Sequence, residues 1–156
     1  MAPARNLFSS DHLATPHTPE GIVWRYGVGC VDELVHHGLH RMQRHDAQRA
    51  RHLIELCDVP TCDEVRRWLP HPFKELERQG LPCTVDTMRQ YWHNGHLHDQ
   101  TPVWVGTIID IVGTHVCHVT NGAGRRLAAL NVHHLEIAVG YAVYVHASII
   151  AEVSHT

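Results

Sequence analysis

The segment AVGYAVYVHASIIAEV, residues 138–153, has the alternating apolar side chains of a β-strand, with one histidine in its middle. Read as a single strand over residues 142–153, it has four small or apolar residues on one face: Val143, Val145, Ala147 and Ile149. The other face carries Tyr144, His146 and Ser148. We expect the apolar face to be core. His146 should then project toward the rim or solvent, unless the helical part of the chain covers it.

Strand-like spacing begins just beyond Pro102. A first strand has Val105, Thr107, Ile109 and Ile111 on one face. A second runs from His115 to Thr120, and Asn121-Gly122, which favours a type I′ hairpin, leads to a third over residues 125–132. Four or five strands this short cannot hide both faces as an open sheet, so we predict a small OB-like β-barrel over residues 102–155.

The spacing is helical before residue 100. Apolar residues from Val31 to Ile54 predict one amphipathic helix of about 25 residues, kinked near Gly38. Thr61 and Glu64 form a T-x-x-E capping box that starts a helix, which Pro70 and Pro72 stop.

Two further helices are predicted before the strands begin. A short one passes through Phe73 and Leu76 and ends at Gly80, and the last begins at Thr84 and ends at Asn94-Gly95. The predicted fold class is therefore α+β, with a flexible arm (1–21), a helical domain (22–98) and the β-barrel domain (102–155).

The amino-acid composition excludes several classes of function. The 156 residues are 44% hydrophobic and 19% charged, with a net charge of -3, which is typical of a globular protein and argues against a nucleic-acid partner. No apolar run reaches the roughly 20 residues of a membrane span, and no apolar segment follows Arg5 as in a secretory signal. Five cysteines without a Cys-x-x-Cys motif indicate reduced thiols. We expect a cytoplasmic protein.

Two stretches resemble a known family: GTIIDIVGTHVCHVTNGAGRRLAALNV (106–132), with a glycine placed before the first strand, and VGYAVYVHAS (139–148). Together they are similar to the HypC/HupF family, small chaperones of nickel–iron hydrogenase maturation. The resemblance implies a barrel that packs on a protein partner and helps carry an iron centre to the hydrogenase large subunit. It implies a partner or metal contact for His146. The family's N-terminal iron-carrying cysteine has no counterpart, because Thr101 occupies the corresponding position, five residues before Gly106.

Seventeen histidines allow a metal site, although a solvated surface accounts better for most of them. His93, His96 and His98 cluster where the helices end, with Asp99 or Cys83 as a fourth ligand, an arrangement suited to Zn or Ni. The same histidines also suit a polar linker.

Other patterns are weaker. His36 and His40, at i and i+4 with His37 between them, can share an ion or a solvated helix face. The last helix, with Arg89, Gln90 and His93, can imitate a DNA-reading helix. Cys117 is predicted to be a small buried side chain.

We expect a non-enzymatic accessory protein that docks on a metalloenzyme or its maturation partner. Two alternatives stay open. One is a metal-dependent enzyme that uses Fe, Ni or Zn at His93, His96, His98 and also His146, and the other is a DNA-binding regulator.

Overall fold

The computed structural model describes residues 12–37, 43–94 and 103–154. Within these residues five helices precede five strands: α1 (Pro19–His37), α2 (Arg44–Leu56), α3 (Cys62–Trp68), α4 (His71–Arg78), α5 (Val85–His93), β1 (Trp104–Ile111), β2 (Val116–Thr120), β3 (Arg126–Leu130), β4 (Ala142–His146) and β5 (Ile149–Val153). The α+β fold class is confirmed. The chain forms two compact units, the helical unit (1–96) and the β-unit (97–156). None of the helices among the described residues is long and apolar enough to cross a membrane.

Residues 12–21, predicted as part of the arm (1–21), make backbone contacts with the helical unit and include the start of α1. The Ala14 N–H donates to the carbonyl of Pro60, and Leu13 forms a β-bridge with Thr61. Helix α1 then begins at Pro19, where a proline fits because the first helical N–H needs no partner. Of the two prolines near residue 20, Pro16 and Pro19, the second therefore marks a helix start. Residues 1–11 of the predicted arm lie outside the described residues.

The single helix predicted from Val31 to Ile54 is also wrong. Helix α1 starts twelve residues earlier, and its apolar side chains Ile22, Val23, Trp24, Tyr26 and Val28 are all buried. A second helix begins at Arg44, after Gln43 adopts an extended backbone (ψ 150°) that no helix continues through. The predicted kink at Gly38 lies outside the described residues.

The three remaining helices confirm the sequence prediction. Thr61 caps α3 as expected, since its hydroxyl accepts from the Glu64 N–H at 3.1 Å and the Glu64 carboxylate accepts from the Thr61 N–H at 2.9 Å. Thr84 makes the equivalent exchange with Thr87 at the start of α5. Gly80, at φ +72°, follows α4 in the left-handed conformation that suits glycine.

Helix α3 is tied to its neighbours by arginine–carboxylate pairs. Arg67 binds the buried Asp46 of α2 through two hydrogen bonds of 2.9 and 3.1 Å, and Arg66 binds Glu20 of α1 at 2.7 Å. The hydrogen bonds from Arg67 lower the pKa of Asp46, outweighing the opposite effect of burial. These pairs fix the order of α1, α2 and α3 around one core.

Acid should therefore weaken the helical unit through Asp46. Because the folded-state pKa of Asp46 lies below its unfolded value of about 3.9, its contribution is complete well above that value and is lost as pH falls through the folded pKa. We expect Asp46→Asn to lower the free energy of unfolding at pH 7 by about 1–2 kcal/mol, and the gap to the native protein to shrink below about pH 4.

Urea unfolding followed by tryptophan fluorescence between pH 3 and 7 measures this effect. Glu77→Gln, at an exposed carboxylate of α4, serves as the control. A stability gap between Asp46→Asn and the native protein that stays constant with pH would contradict the assignment.

The five strands of the β-unit close into a barrel in the order β1-β2-β3-β5-β4, with β4 paired back to β1. All neighbours are antiparallel except β3 and β5, which pair in parallel at Leu130 and Ile149. Seven fully buried side chains fill its interior: Ile108, Cys117, Val119, Ala129, Val143, Val145 and Ile150. The sheet thus encloses a core of its own.

The segment predicted as one last strand is a hairpin. Strands β4 and β5 pair with His146 opposite Ile149, so only Ala147 and Ser148 lie between them. Both have positive φ, 51° and 65°, as the two central residues of a type I′ turn do. Alternation continued through Ala147 and Ser148 and concealed this turn, because neither residue is one that usually marks it.

Replacing the turn residues should stabilise the β-unit. Neither alanine nor serine favours positive φ, whereas Asn-Gly is the preferred pair for a type I′ turn. We expect Ala147→Asn with Ser148→Gly to raise the free energy of unfolding by about 1 kcal/mol, measured by urea unfolding. Ala128→Gly, inside β3, should instead destabilise the unit by about 0.5–1 kcal/mol. Equal effects of the two changes would argue against the turn geometry.

The Asn121-Gly122 hairpin differs from the predicted two-residue turn. Strands β2 and β3 pair from Thr120 and Arg126, which leaves a five-residue loop. The Asn121 side-chain oxygen accepts from the N–H groups of Ala123 and Arg125, and Gly124 takes the positive φ, +77°. The asparagine side chain thus holds a longer loop.

Candidate functional site

The first candidate site is an apolar patch on the outside of the β-unit, along the junction of β1 with β4. We call Val105, Ile109, Val139 and Tyr141 the seam patch. Their exposed fractions are 51%, 37%, 61% and 43%. Exposed apolar side chains grouped in this way mark interaction surfaces more often than ordinary protein surface.

Strand pairing explains how the sequence builds the seam patch. The N–H of Ile108 donates to the carbonyl of Tyr141 at 2.9 Å, and the N–H of Gly140 donates to the carbonyl of Ile108 at 2.8 Å. These bonds hold residues 139–141 beside β1 before β4 begins. Gly140 has φ +96°, a conformation that side chains rarely adopt, which accounts for a glycine between the two exposed residues.

The second candidate site is a pair of histidines at one end of the closed sheet. The rings of His115, just before β2, and His134, after β3, meet edge to face with centroids 4.9 Å apart. Ring nitrogens of the two residues lie within 4.8 Å of each other. The Nδ1 atom of His115 is shielded from solvent and has no hydrogen-bond partner in the described part of the chain. The pair can hold a metal ion.

Asn131 builds the loop that presents His134. Its side chain is buried, with its oxygen accepting from the Leu135 N–H at 3.0 Å and its amide donating to the Leu135 carbonyl at 2.9 Å. Its own N–H donates to the carbonyl of His115 at 2.7 Å. One residue therefore closes the loop and joins it to His115. His134 adopts the left-handed conformation, with φ 53°, inside this closed loop.

A pocket of about 310 Å³ adjoins His134. Aliphatic side chains of Ile111, Val116, Leu135 and Ile137 line it. Its polar lining comes from Thr114, Asn131, His134 and Glu136. Because both groups of the Asn131 amide are bound to Leu135, the polar side chains open to a ligand are those of Thr114, His134 and Glu136.

A charged cluster lies on the outer face of β1, β2 and β3. Arg126 donates to Asp110 at 3.4 Å and lies 2.9 Å from Nδ1 of His118. Asp110 and His118 are partners in the β1–β2 register. All three side chains are accounted for by this surface network.

Of the predicted cluster His93, His96 and His98, only His93 lies among the described residues. His93 lies on α5, and its Nε2 is 2.6 Å from the hydroxyl of the buried Tyr26. His96, His98 and Asp99 lie outside the described residues. Cys83, predicted as a fourth ligand, lies 3.7 Å from Arg66, and burial raises the pKa of its thiol.

His146, predicted as a partner or metal contact, is only 1% exposed. The solvent-facing orientation considered for it is therefore not found. It ends β4, where it pairs with Ile149 across the tight turn. Its ring offers almost no accessible surface.

The weaker patterns have structural explanations where they can be seen. Cys117 is fully buried in the core of the β-unit, where burial raises the pKa of its thiol, as expected of a packed cysteine. Arg89 pairs with Asp86 at 3.4 Å on its own helix. His40 lies outside the described residues, and His36 and His37 belong to α1, where the structure describes the backbone and not their side chains.

Sequence reasoning did not single out His115 and His134. They lie 19 positions apart, with no spacing that a helix or strand would convert into proximity. Histidine is so frequent here that its presence carries little information by itself. The signal available was indirect, since both residues flank strands of the one predicted sheet.

In comparisons with known proteins, no family model and no curated protein matches the chain.

Proposed function

We propose that this protein is a non-enzymatic accessory protein whose β-unit docks on a metalloenzyme or on a factor that assembles its metal centre. The observation that carries the proposal is the seam patch. Four large apolar side chains there are between 37% and 61% exposed, although the same unit has a filled core. Such a surface keeps apolar area exposed to water, which is unfavourable, unless a partner covers it.

The sequence resemblance supports the kind of partner. The segment that carries much of the seam patch, Val139 to Tyr141, also opens the stretch VGYAVYVHAS that resembles the hydrogenase-maturation chaperones. The closed order β1-β2-β3-β5-β4 of five short strands agrees with the OB-like barrel inferred from the sequence. Barrels of the OB type use a strand face and adjoining loops to bind other molecules, which suits a docking role.

The patch, and not the ring of His146, is assigned the contact with the partner. A side chain that is 1% exposed presents almost no area to another protein, whereas Val105 and Val139 present more than half of theirs. His146 is instead a buried residue at the end of β4. We expect His146→Ala to weaken partner binding less than a charge placed in the seam patch does.

Affinity capture with the full chain tests the proposal. The bait carries a peptide tag without histidine, because a histidine tag would add metal ligands to a chain that already has 17 histidines. It is incubated with a lysate of the source organism, and captured proteins are identified by mass spectrometry. The identified partner is then purified and its affinity measured with each variant.

Val105→Glu with Val139→Glu should weaken partner binding at least about tenfold, or 1.4 kcal/mol, because each change places a carboxylate in an apolar contact. Ala128→Glu is the control, since it puts a carboxylate at an exposed position of β3, outside the seam patch. Equal binding by the double variant, or a partner with no connection to metal-centre assembly, would overturn the proposal.

A further inference from the structure

We propose that His115 and His134 bind one divalent transition-metal ion at the rim of the 310 Å³ pocket. This inference does not depend on docking at the seam patch. It rests on the placement of two imidazoles within the β-unit, on the loop that holds one of them, and on a ring nitrogen that lacks a partner.

The first step concerns distance. Two imidazole nitrogens that share a tetrahedral ion at 2.0–2.1 Å lie about 3.3 Å apart. The nitrogens of His115 and His134 already lie within 4.8 Å. Rotation of the exposed His134 ring about its last side-chain torsion, which has a broad energy minimum, brings them closer without backbone movement.

The second step concerns the unpartnered nitrogen. Nδ1 of His115 is shielded from solvent and has no hydrogen-bond partner among residues 103–154 or elsewhere in the described chain. Buried polar atoms in proteins nearly always have one, so such an atom indicates a bound water or ion. With the second imidazole edge-on at 4.9 Å, a metal ion satisfies both rings at once.

The third step concerns preorganisation. His134 is held in the left-handed conformation by a loop that the buried Asn131 closes through two hydrogen bonds to Leu135. Asn131 also binds the backbone of His115. A surface histidine without a function has no need of such a loop, whereas a ligand must be aimed. Asn131 is therefore a positioning residue for both rings.

The chemistry of the donor atoms limits which metal ion the site can bind. Imidazole nitrogen suits zinc, nickel, copper and iron, and not calcium or magnesium, which prefer oxygen. Two imidazoles fill two of the four positions that zinc favours. The others face water or a donor that enters the pocket, where Thr114 and Glu136 lie. An ion with two protein ligands and two open positions is expected to be exchangeable.

Calorimetric titration of the untagged full chain with nickel chloride and with zinc chloride tests the site. We expect the tightest binding event to have a stoichiometry of about one ion per chain. His134→Gly removes the imidazole and relieves the backbone, since glycine accepts φ 53°. It and His115→Ala should each weaken this event at least about 100-fold, because even indirect support of a ligand is worth 10–100-fold.

His118→Ala is the matched control. It removes an imidazole of the same unit whose ring belongs to the Asp110–Arg126 surface cluster, and should change the affinity less than about threefold. Electron paramagnetic resonance with copper(II) supplies a second readout, in which two coordinated nitrogens become one in either site variant. Thermal unfolding of each variant establishes that it is folded.

Unchanged tight binding in folded His134→Gly would overturn the inference, as would a loss of equal size in His118→Ala. The seam-patch variants separate this result from the proposed function. Val105→Glu with Val139→Glu should still bind one ion. Failure of the docking experiment therefore does not contradict the metal site, and failure of the metal titration does not contradict docking.

Discussion

Gly106→Ala should unfold the β-unit or destabilise it by about 3 kcal/mol. Gly106 lies inside β1, whereas the family resemblance implied a position before the first strand. A Cβ atom at this position would lie 2.3 Å from a methyl group of Val119, 2.6 Å from the Trp104 ring and 2.8 Å from the carbonyl oxygen of Thr120. The last contact cannot be relieved by a side-chain rotation, because it involves the backbone of the paired strand β2.

Hydrogen exchange of peptides from residues 103–154, followed by mass spectrometry, measures the effect in this unit alone. Gly122→Ala is the matched control: it lies in the same unit, and its added Cβ would meet nothing within 4 Å. We expect faster exchange across β1, β2 and β4 for Gly106→Ala and native exchange for Gly122→Ala. Similar exchange in both variants would show that the close strand contact is not present in solution.

Gly21→Ala should detach the N-terminal segment from the helical unit, at a cost of about 2–4 kcal/mol. The added Cβ would lie 1.6 Å from the carbonyl oxygen of Thr15. Thr15 and Gly21 are held together because the Thr18 hydroxyl accepts from the Gly21 N–H at 3.0 Å and donates to the Thr15 carbonyl at 2.9 Å. The segment must move away, which breaks the bridge between Leu13 and Thr61 and exposes the buried Ala14.

Gly27→Ala, on the same helix, separates this clash from the general effect of alanine. Its Cβ would meet a methyl group of Leu69 at 2.7 Å, which a rotamer change can move, and alanine favours the helix by about 1 kcal/mol over glycine. We expect a change within about 1 kcal/mol of native stability for Gly27→Ala. Urea unfolding measures the stability of both variants, and limited proteolysis near residue 15 measures whether the N-terminal segment has detached. Protection of that segment in Gly21→Ala would contradict the packing described.

Local signals in the sequence were enough for the elements whose ends are marked by their own side chains. The Thr61–Glu64 capping box and the Thr84 start of α5 depend on bonds between residues three positions apart, so they can be read directly. The change from helices to strands near residue 100 agrees with the division into two units after residue 96. Periodicity predicted these features because each depends on neighbours along the chain.

Turns without their usual residues were not predictable in this way. Ala147 and Ser148 adopt positive φ because β4 and β5 pair on either side and the Leu130 N–H donates to the Ser148 carbonyl. Their own conformational preference opposes it. The start of α1 was missed for a related reason, since Pro19 can either end an extended segment or begin a helix, and packing of Ile22 and Tyr26 decides the outcome.

The sequence by itself determined the fold class, the capped helices and the alternation that makes the strands, because those depend on bonds and faces within a few residues. Only the tertiary structure decided the candidate sites. His115 and His134 meet because β2 and β3 pair and Asn131, which closes the loop to Leu135, also bonds the His115 backbone. Residues 139–141 lie beside Ile108, and Val105 pairs with Tyr144, because β4 returns to β1. Such contacts arise from strand order and register, which distant segments set together and no local spacing records.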